Sequence, residues 1–359
     1  MRAHNFGAGP CTLPLDVMEE VRSEFLDFGG SGMSLIEMSH RSPEYEAVHE
    51  EALQLAREVA GAPDDFEVLF VQGGATLQFA MAAMNLLPAG ERAGYVVSGS
   101  WGKRALEDAA PHGDVYAAWD GKDSGYTRMP ASREVELRTA TRYLHITTNE
   151  TIGGIRMVEF PRVEVPLVAD MSSEFLARPI EWGLYDLVYG GVQKNLAPAG
   201  MAVIYVKKSA LAGANSELGS FLRYSWHAET RSLGHTPPMF PIYVMGKVLK
   251  RLKSTGGIPG LEARSAEKAT LLYQTIDESG GFYRNPVAVE ARSHMNVVFR
   301  LVDEATEKAF LKEAEAEHMV GLRGHRSVGG CRASLYAALP LESVEALCQL
   351  MREFQAAHG

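Results

Sequence analysis

The sequence predicts an α/β fold, in which a large domain with a mostly parallel sheet covered by helices precedes a smaller α+β domain. Short continuous apolar segments alternate with helical segments through the middle of the chain, which is typical of strands buried on both faces of a parallel sheet. The alternation stops at Gly256-Gly257. The chain has 359 residues, of which 46% are hydrophobic, and this is enough for more than one domain.

The first elements are a loop and two helices. The loop Gly7-Ala8-Gly9-Pro10 precedes a helix expected over Leu15–Phe28. For the second helix, Ser42 is a plausible N-cap, Pro43 suits the first helical position and Gly61 suits the end. One face of this helix collects apolar residues at spacings of three and four: Tyr45, Val48, Ala52, Leu55 and Val59.

The predicted sheet comes next. Its strands are the short apolar segments Val68–Val71, Tyr95–Val97, Val115–Ala118, Tyr143–Thr147, Leu167–Asp170, Leu187–Tyr189 and Ala202–Val206. Helices are expected between several of them, notably over Thr76–Leu87 and Gly102–Ala110. Because such connections return the chain to the same edge of the sheet, the strands are expected to run mostly parallel.

The last hundred residues follow a different pattern. It comprises a helix over Gly260–Glu278, a strand over Met295–Leu301, a helix over Glu304–His318 and a final helix over Leu341–Gln355. Together with the glycine pair, this change predicts a large domain of residues 1–255 and a small C-terminal domain of residues 256–359.

Composition and charge exclude several classes of function. The formal net charge is -10 and no basic run marks a nucleic-acid surface, so no nucleic-acid partner is expected. No apolar run approaches the ~20 residues of a membrane helix and the N-terminus lacks the apolar part of a signal peptide, so neither membrane attachment nor export is expected. Cys11, Cys331 and Cys348 are too few and too dispersed for a disulfide framework or a metal site, which fits the cytoplasm.

A glycine-rich turn is the first candidate for binding. Gly73-Gly74-Ala75-Thr76 follows a predicted strand and opens a predicted helix, so its backbone N–H groups stand at the positive end of a helix dipole and could bind phosphate. The same residues could form a tight turn without a ligand. The turn matches neither G-x-G-x-x-G nor the Walker pattern, so a dinucleotide or P-loop site is not supported.

Two charged residues follow neighbouring strands of the predicted sheet. Asp170 ends one strand and Lys194 follows the next one, after Gly190-Gly191. Burial lowers the pKa of a lysine and frees its amine to attack an aldehyde, and a carboxylate can hold a pyridine nitrogen protonated. These are the two groups that pyridoxal phosphate requires of its protein. Taken singly, Asp170 could instead cap the next helix, and Lys194 could lie on the surface.

Further candidates are an indole and three arginines. Trp101 follows the Tyr95–Val97 strand and could stack on a planar ring, although a core position would account for it equally well. Arg41, Arg326 and Arg332 stand in loops or at element ends. Arginine binds carboxylate and phosphate through paired charge-assisted hydrogen bonds, so a substrate that carries both groups would use several, whereas a single arginine usually forms a surface ion pair.

The chain resembles the phosphoserine aminotransferases, which are class V members of the pyridoxal-phosphate-dependent aminotransferase family with the type I fold. The likeness runs nearly from end to end through motifs in the family's order: Asn5-Phe6, Gly9-Pro10, Glu37-Met38-Ser39-His40-Arg41, Asn149-Glu150-Thr151-Ile152, Ala169-Asp170-Met171-Ser172-Ser173, Gln193-Lys194-Asn195, Thr236-Pro237-Pro238, Gly324-His325-Arg326-Ser327-Val328-Gly329-Gly330 and Arg332-Ala333-Ser334.

The resemblance implies roles for these residues. Lys194 would hold pyridoxal phosphate as a Schiff base and move the substrate's proton, and Asp170 would bind the pyridine nitrogen. The remaining cofactor-binding residues would be Ala75, Thr76, Trp101, Thr151, Gln193, His235 and Thr236. The substrate's phosphate and carboxylate would face His40, Arg41, His325, Arg326 and Arg332.

The resemblance also implies an assembly and a reaction. Thr236 would reach the cofactor phosphate of a partner subunit, which implies a homodimer with shared active sites. The N-terminal segment, residues 1–14, would contribute to the active site. The enzyme would move an amino group between the small anionic substrates glutamate and 3-phosphohydroxypyruvate, giving O-phosphoserine and 2-oxoglutarate in serine biosynthesis. Phosphohydroxythreonine, on the route to pyridoxine, is left open as a further substrate.

Some positions depart from the family's pattern, and other functions stay open. Thr76 stands where some members have Arg, and His235 stands where Asn is common; the segments Arg223–Arg231 and Met157–Pro166 also differ. One alternative is another class V enzyme, such as a small amino acid–glyoxylate aminotransferase. A cysteine desulfurase would need Cys331 as its nucleophile. A cofactor-binding protein without activity is the third alternative.

Overall fold

The computed structural model describes residues 2–213 and 215–359. These residues form ten α-helices: α1 (Leu15–Glu24), α2 (Pro43–Ala60), α3 (Gly74–Leu86), α4 (Ser100–Ala109), α5 (Lys208–Ala212), α6 (Tyr224–Glu229), α7 (Met239–Ser254), α8 (Gly257–Asp277), α9 (Glu304–Ala316) and α10 (Leu341–His358). They also form thirteen strands: β1 (His4–Asn5), β2 (Phe66–Gln72), β3 (Arg92–Val97), β4 (Asp114–Asp120), β5 (Thr141–Thr147), β6 (Asn149–Glu150), β7 (Ile155–Arg156), β8 (Leu167–Asp170), β9 (Tyr185–Gly191), β10 (Met201–Lys207), β11 (Asn296–Phe299), β12 (Met319–Val320) and β13 (Cys331–Ser334).

Seven strands form the central sheet, in the order β2-β10-β9-β8-β5-β3-β4. Only β10 runs antiparallel to its neighbours within this sheet. All seven predicted strands are present, and the prediction of a mostly parallel sheet is confirmed. The inner strands β8 and β10 are buried along almost their whole length because one cluster of buried side chains covers each face of the sheet, as expected when helices pack on both sides. The edge strand β4 is buried only at Tyr116 and Ala118.

The second helix forms as its sequence signals predict. The Ser42 side chain accepts a hydrogen bond from the N–H of Tyr45 at 3.3 Å, Pro43 is the first residue of α2 and Gly61 ends it in the left-handed conformation. By contrast, the prediction that the first helix reaches Phe28 is wrong. The helix ends at Glu24, and a short turn follows in which Gly29 adopts a φ of 62°.

The long helix α7 lies in a part of the chain for which the sequence led to no prediction. Pro241 is its third residue, and proline usually argues against a helix. The N–H groups of the first turn, however, have no acceptor inside a helix. Proline, which lacks an N–H group, is therefore tolerated there. α7 packs with α2 against the large core cluster through Ile242, Met245 and Leu249.

The C-terminal part has its own apolar core, around β11, β13 and helices α8 to α10. The N-terminal segment packs with this part, since β1 pairs with β12 and Phe6 is fully buried in the same cluster. α7 ends at Ser254 and α8 begins at Gly257. The division into domains at 255/256 stays a prediction.

The parallel strands bring several loops to one edge of the sheet. The carboxyl ends of β2, β3, β5, β8 and β9 all point to this edge. In open α/β sheets, ligands bind in the crevice outside these ends. The predicted functional residues that follow these strands should therefore lie together.

Candidate active site

A cavity of about 530 Å³ opens at this edge of the sheet. Its walls come from the N-terminal loop, the turn after β2, the starts of α3 and α4, and the segments after β8 and β9. The lining residues include Gly9, Gly74, Ala75, Thr76, Trp101, Asp170, Gln193 and Lys194. Six of the residues predicted to bind a cofactor thus share one cavity.

The turn between β2 and α3 forms one wall of the cavity. Gly73 adopts a φ of 89° and no side chain caps the helix that follows, so the N–H groups of Gly74, Ala75 and Thr76 begin α3 without a side-chain acceptor. A Cβ atom at position 73 would lie 2.8 Å from the side chain of Leu77. The turn therefore requires glycine, and it presents free donors at the positive end of the helix dipole.

Asp170 ends β8 at the floor of the cavity and is 5% exposed. Its Oδ1 accepts hydrogen bonds from the backbone N–H of Ser172 at 2.9 Å and from the Ser172 hydroxyl at 2.5 Å. Burial raises the pKa of Asp170, while the charge of Lys194 and the Ser172 bonds oppose this rise. No described residue donates a side-chain hydrogen bond to Oδ2, so this oxygen can accept from a ligand.

Lys194 follows β9 and is 9% exposed. Its Nζ donates a hydrogen bond to Oγ1 of Thr151 at 2.8 Å and lies 5.4 Å from the centroid of the Trp101 ring. Burial lowers the pKa of Lys194, against the opposing effects of Asp170 and Glu150. A lowered pKa increases the fraction of neutral amine, which is the form that attacks a carbonyl carbon.

Glu150, which was not among the predicted site residues, belongs to the same group. Its carboxylate accepts hydrogen bonds from the backbone N–H groups of Trp101 at 3.0 Å and Gly102 at 2.7 Å, and it is completely buried. Its position directly before Thr151 is the sequence signal that could have identified it. The burial of Glu150 itself could not be predicted from the sequence.

Arg332 approaches the site from β13 of the C-terminal part. Its guanidinium donates to the carbonyl oxygen of Thr151 at 3.4 Å, and its buried Nε has no partner. No carboxylate among the described residues forms an ion pair with Arg332, and burial lowers the pKa of its guanidinium. With His325, Arg332 lines a second cavity of about 260 Å³.

The other predicted substrate and cofactor residues lie apart from the Lys194 cavity. His40 Nδ1 lies 3.3 Å from the hydroxyl of Thr236, and neither these two residues nor His235 is among those lining the cavity. Burial lowers the pKa of His235, with a smaller effect from His40. Arg41 and Arg326 are exposed. A single chain therefore does not bring the complete predicted set together.

Pyridoxal phosphate fits the donors and acceptors of this cavity. The buried Nε1 of Trp101 has no partner among the described residues, and the start of α3 offers N–H groups for a phosphate. An aldehyde would find the amine of Lys194, and a pyridine nitrogen would find Oδ2 of Asp170. In the described part of the chain, no group of three or more His, Cys, Asp or Glu residues could hold a metal ion.

The thiol required for the desulfurase alternative is unsuited to nucleophilic chemistry. Cys331 is 2% exposed, and burial raises the pKa of its thiol to about 12. The thiolate is the nucleophilic form of cysteine, and its population at neutral pH would be negligible here. Across residues 2–213 and 215–359, no helix is long and apolar enough to span a membrane.

Residues 3–347 match the family model described as Aminotransferase class-V. The chain therefore belongs to the class-V aminotransferase family and is a pyridoxal-phosphate-dependent aminotransferase. It is 47% identical to phosphoserine aminotransferase of Niallia circulans over 359 residues, which cover 100% of this chain and 99% of that protein. Within class V, the chain belongs to the phosphoserine aminotransferases.

Solved structures agree with this assignment. The phosphoserine aminotransferase from Bacillus circulans subsp. alkalophilus is 47% identical, with a TM-score of 0.97 and coverage of 100% of this chain and 99% of that chain. The pyridoxal-phosphate-bound phosphoserine aminotransferase from Trichomonas vaginalis is 33% identical, with a TM-score of 0.93 and coverage of 98% and 100%. The predictions of fold, family and cofactor are confirmed.

Proposed function

We propose that this enzyme transfers the amino group of glutamate to 3-phosphohydroxypyruvate, giving O-phosphoserine and 2-oxoglutarate in serine biosynthesis. One observation carries the proposal. Among the described residues the guanidinium of Arg332 has no acidic partner, and it contacts the carbonyl of Thr151, whose hydroxyl accepts a hydrogen bond from Lys194. A partly buried cation without a counter-charge favours an anionic ligand, and Thr151 connects this cation to the reactive amine.

The residues of the cavity would hold the cofactor at three points. The free N–H groups of Ala75 and Thr76, together with Gln193, would bind the phosphate at the positive end of α3. Asp170 would accept a hydrogen bond from the ring nitrogen and keep it protonated. Trp101 would cover one face of the ring, and Thr151 would bond to its phenolic oxygen.

Lys194 would then carry out the proton transfer. When bound, pyridoxal phosphate supplies an aldehyde for the amine and a conjugated ring that accepts electrons from the substrate's Cα. The amine of Lys194 would accept the proton from Cα of the amino acid and later release it again. Its lowered pKa makes this possible near neutral pH, and the Thr151 hydroxyl, at 2.8 Å from Nζ, would direct the amine.

The anionic groups of the substrates would determine specificity. We propose that Arg332 binds the carboxylate, and that His40, Arg41, His325 and Arg326 bind the phosphate of 3-phosphohydroxypyruvate. Because His40, Arg41 and Thr236 lie apart from the cavity of their own chain, we propose a homodimer in which Thr236 and His235 reach the partner's cofactor phosphate. Activity in the cytoplasm and a two-domain division at 255/256 belong to the same proposal.

A comparison of amino acceptors tests the proposed function. The protein is loaded with pyridoxal phosphate and amino groups from glutamate, and kcat/KM is measured for 3-phosphohydroxypyruvate, hydroxypyruvate, pyruvate and glyoxylate. The phosphate's charge-assisted hydrogen bonds are worth ~1.5–3 kcal/mol each, so the phosphorylated acid should exceed hydroxypyruvate by at least about tenfold. A preference for glyoxylate would instead support the small amino acid–glyoxylate alternative. Amino transfer to none of the four acids would favour a binding protein.

A further inference from the structure

Glu150 is a buried carboxylate close enough to Lys194 to raise its pKa, against the larger lowering effect of burial, and it takes no part in the proposed amino transfer. It is the second residue of β6 and is 0% exposed. The hydroxyl of the following residue, Thr151, accepts the hydrogen bond from Lys194. A buried carboxylate is costly unless it is paired or hydrogen-bonded, so its partners indicate why it is there.

The partners of Glu150 are the first turn of α4. Oε2 accepts from the N–H of Trp101 at 3.0 Å, and Oε1 accepts from the N–H of Gly102 at 2.7 Å. Both N–H groups lack a partner within the helix, and the helix has no side-chain cap of its own. A residue 49 positions along the chain from Trp101 therefore caps the helix that carries it.

The turn before Trp101 is shaped around the same carboxylate. A Cβ atom at position 99 would lie 2.7 Å from the carboxyl carbon of Glu150, and a Cβ atom at position 102 would lie 3.4 Å from Oε1 and 2.7 Å from the carbonyl oxygen of Val96. Glycine at both positions allows the chain to approach Glu150 closely. The carboxylate and the two glycines thus fix where the Trp101 ring stands relative to Lys194.

We propose that Glu150 is a positioning residue: its carboxylate holds the Trp101 turn in the shape that receives the cofactor ring, and protonation of Glu150 loosens that hold. The proposal rests on the proposed function in one respect, that Trp101 faces the ring of the bound cofactor. A neutral carboxyl group forms weaker bonds with N–H groups and interacts less with a helix dipole. The position of Trp101 should therefore depend on pH.

The titration of Glu150 falls near neutral pH. Burial raises the pKa of Glu150 to about 7; the bonds to Gly102 and Trp101 oppose this rise, Asp170 adds to it, and the positive charge of Lys194 lowers it. Burial raises the pKa of Tyr126, with smaller contributions from Asp120 and Glu150. Lowering the pH through about 7 should therefore protonate Glu150.

Tryptophan fluorescence of the cofactor-free protein reports on this change. Trp226 packs against His227 and His235, whose protonation would also change its fluorescence, so the signal of Trp101 is taken as the difference between wild type and Trp101→Phe. We expect this difference to show a transition near pH 7 that disappears in Glu150→Gln. A transition that persists in Glu150→Gln would show that another group causes it and would overturn the proposal.

Cofactor affinity gives a second readout. An amide retains one acceptor and turns an NH₂ group toward the other N–H, so Glu150→Gln should weaken pyridoxal phosphate binding to the cofactor-free protein at least about tenfold. Glu307→Gln is the matched control, because Glu307 is a buried acid of the C-terminal part that accepts from the N–H of Leu301. We expect the control to leave both readouts unchanged.

Glu150→Asp is the second variant that tests the role of Glu150. If Glu150→Gln does not fold, Glu150→Asp replaces it, and its shorter carboxylate should shift the midpoint of the transition and weaken cofactor binding. An unshifted transition with wild-type affinity would overturn the proposal. Such a result would leave the proposed function standing, as long as the wild-type enzyme binds pyridoxal phosphate and transfers amino groups to 3-phosphohydroxypyruvate.

Discussion

Replacement of Arg332 should weaken the use of carboxylate substrates while leaving the cofactor site intact. Its Nε has no partner and its guanidinium contacts only the Thr151 carbonyl, at a long 3.4 Å, so at least two N–H donors are free for a carboxylate. Each charge-assisted bond is worth ~1.5–3 kcal/mol, which totals about 3–6 kcal/mol for a bidentate pair. Arg332→Ala should therefore lower kcat/KM by roughly 10²–10⁴-fold, and Arg332→Lys, which retains one bond, by about half as much in free energy.

The assay is steady-state kinetics with glutamate and with 3-phosphohydroxypyruvate, combined with the affinity for pyridoxal phosphate. Both substrates carry a carboxylate, so both values of kcat/KM should fall together. Because Arg332 is a partly buried cation without a counter-charge, its removal should not reduce the free energy of unfolding. Activity within about threefold of wild type in Arg332→Ala would refute the assignment of Arg332 to the substrate carboxylate.

Three other variants test the site and the fold. Lys194→Ala should keep the wild-type circular dichroism spectrum but abolish turnover and the visible absorption band of the covalently held cofactor; measurable transamination would exclude Lys194 as the reactive amine. Ser42→Ala removes the hydrogen bond to Tyr45 and should cost about 1 kcal/mol of unfolding free energy in denaturant titrations, whereas no change would show that the cap contributes nothing. Burial lowers the pKa of His145 to about 3, below an unfolded value near 6.5, so the unfolded chain binds the extra proton and stability should fall as pH drops from about 6.5 toward 3. His145→Gln should flatten this dependence, and an unchanged slope would contradict the pKa shift.

The central sheet was predictable because its strands are buried on both faces. A continuous apolar segment as short as Leu167–Asp170, set between helical segments, is typical of a strand covered on both sides, and the polar residue at its end marks the edge where ligands bind. Lys194 and Asp170 could be paired from the sequence on this basis alone. The assignment to particular family roles required the resemblance, because spacing along the chain does not specify which atom faces which.

Other features depend on contacts that the sequence does not encode locally. Glu150 accepts hydrogen bonds from residues 48 and 49 positions away, and neither these contacts nor its burial can be derived from its position before Thr151. The helix containing Pro241 escaped prediction because proline usually breaks helices outside their first turn. His40 and Thr236 lie apart from the Lys194 cavity of their own chain, so the roles proposed for them depend on the proposed partner subunit.

A visible absorption spectrum of the purified protein, titrated first with glutamate and then with 3-phosphohydroxypyruvate, is the sharpest test of the proposed chemistry. We expect a band from pyridoxal phosphate held by Lys194, which fades with glutamate and returns with the phosphorylated keto acid but not with pyruvate or glyoxylate. A band that returns with glyoxylate would preserve the fold and Lys194 but contradict the proposed substrate. The absence of any band after addition of pyridoxal phosphate would contradict the roles assigned to Lys194, Asp170 and the glycine-rich turn together.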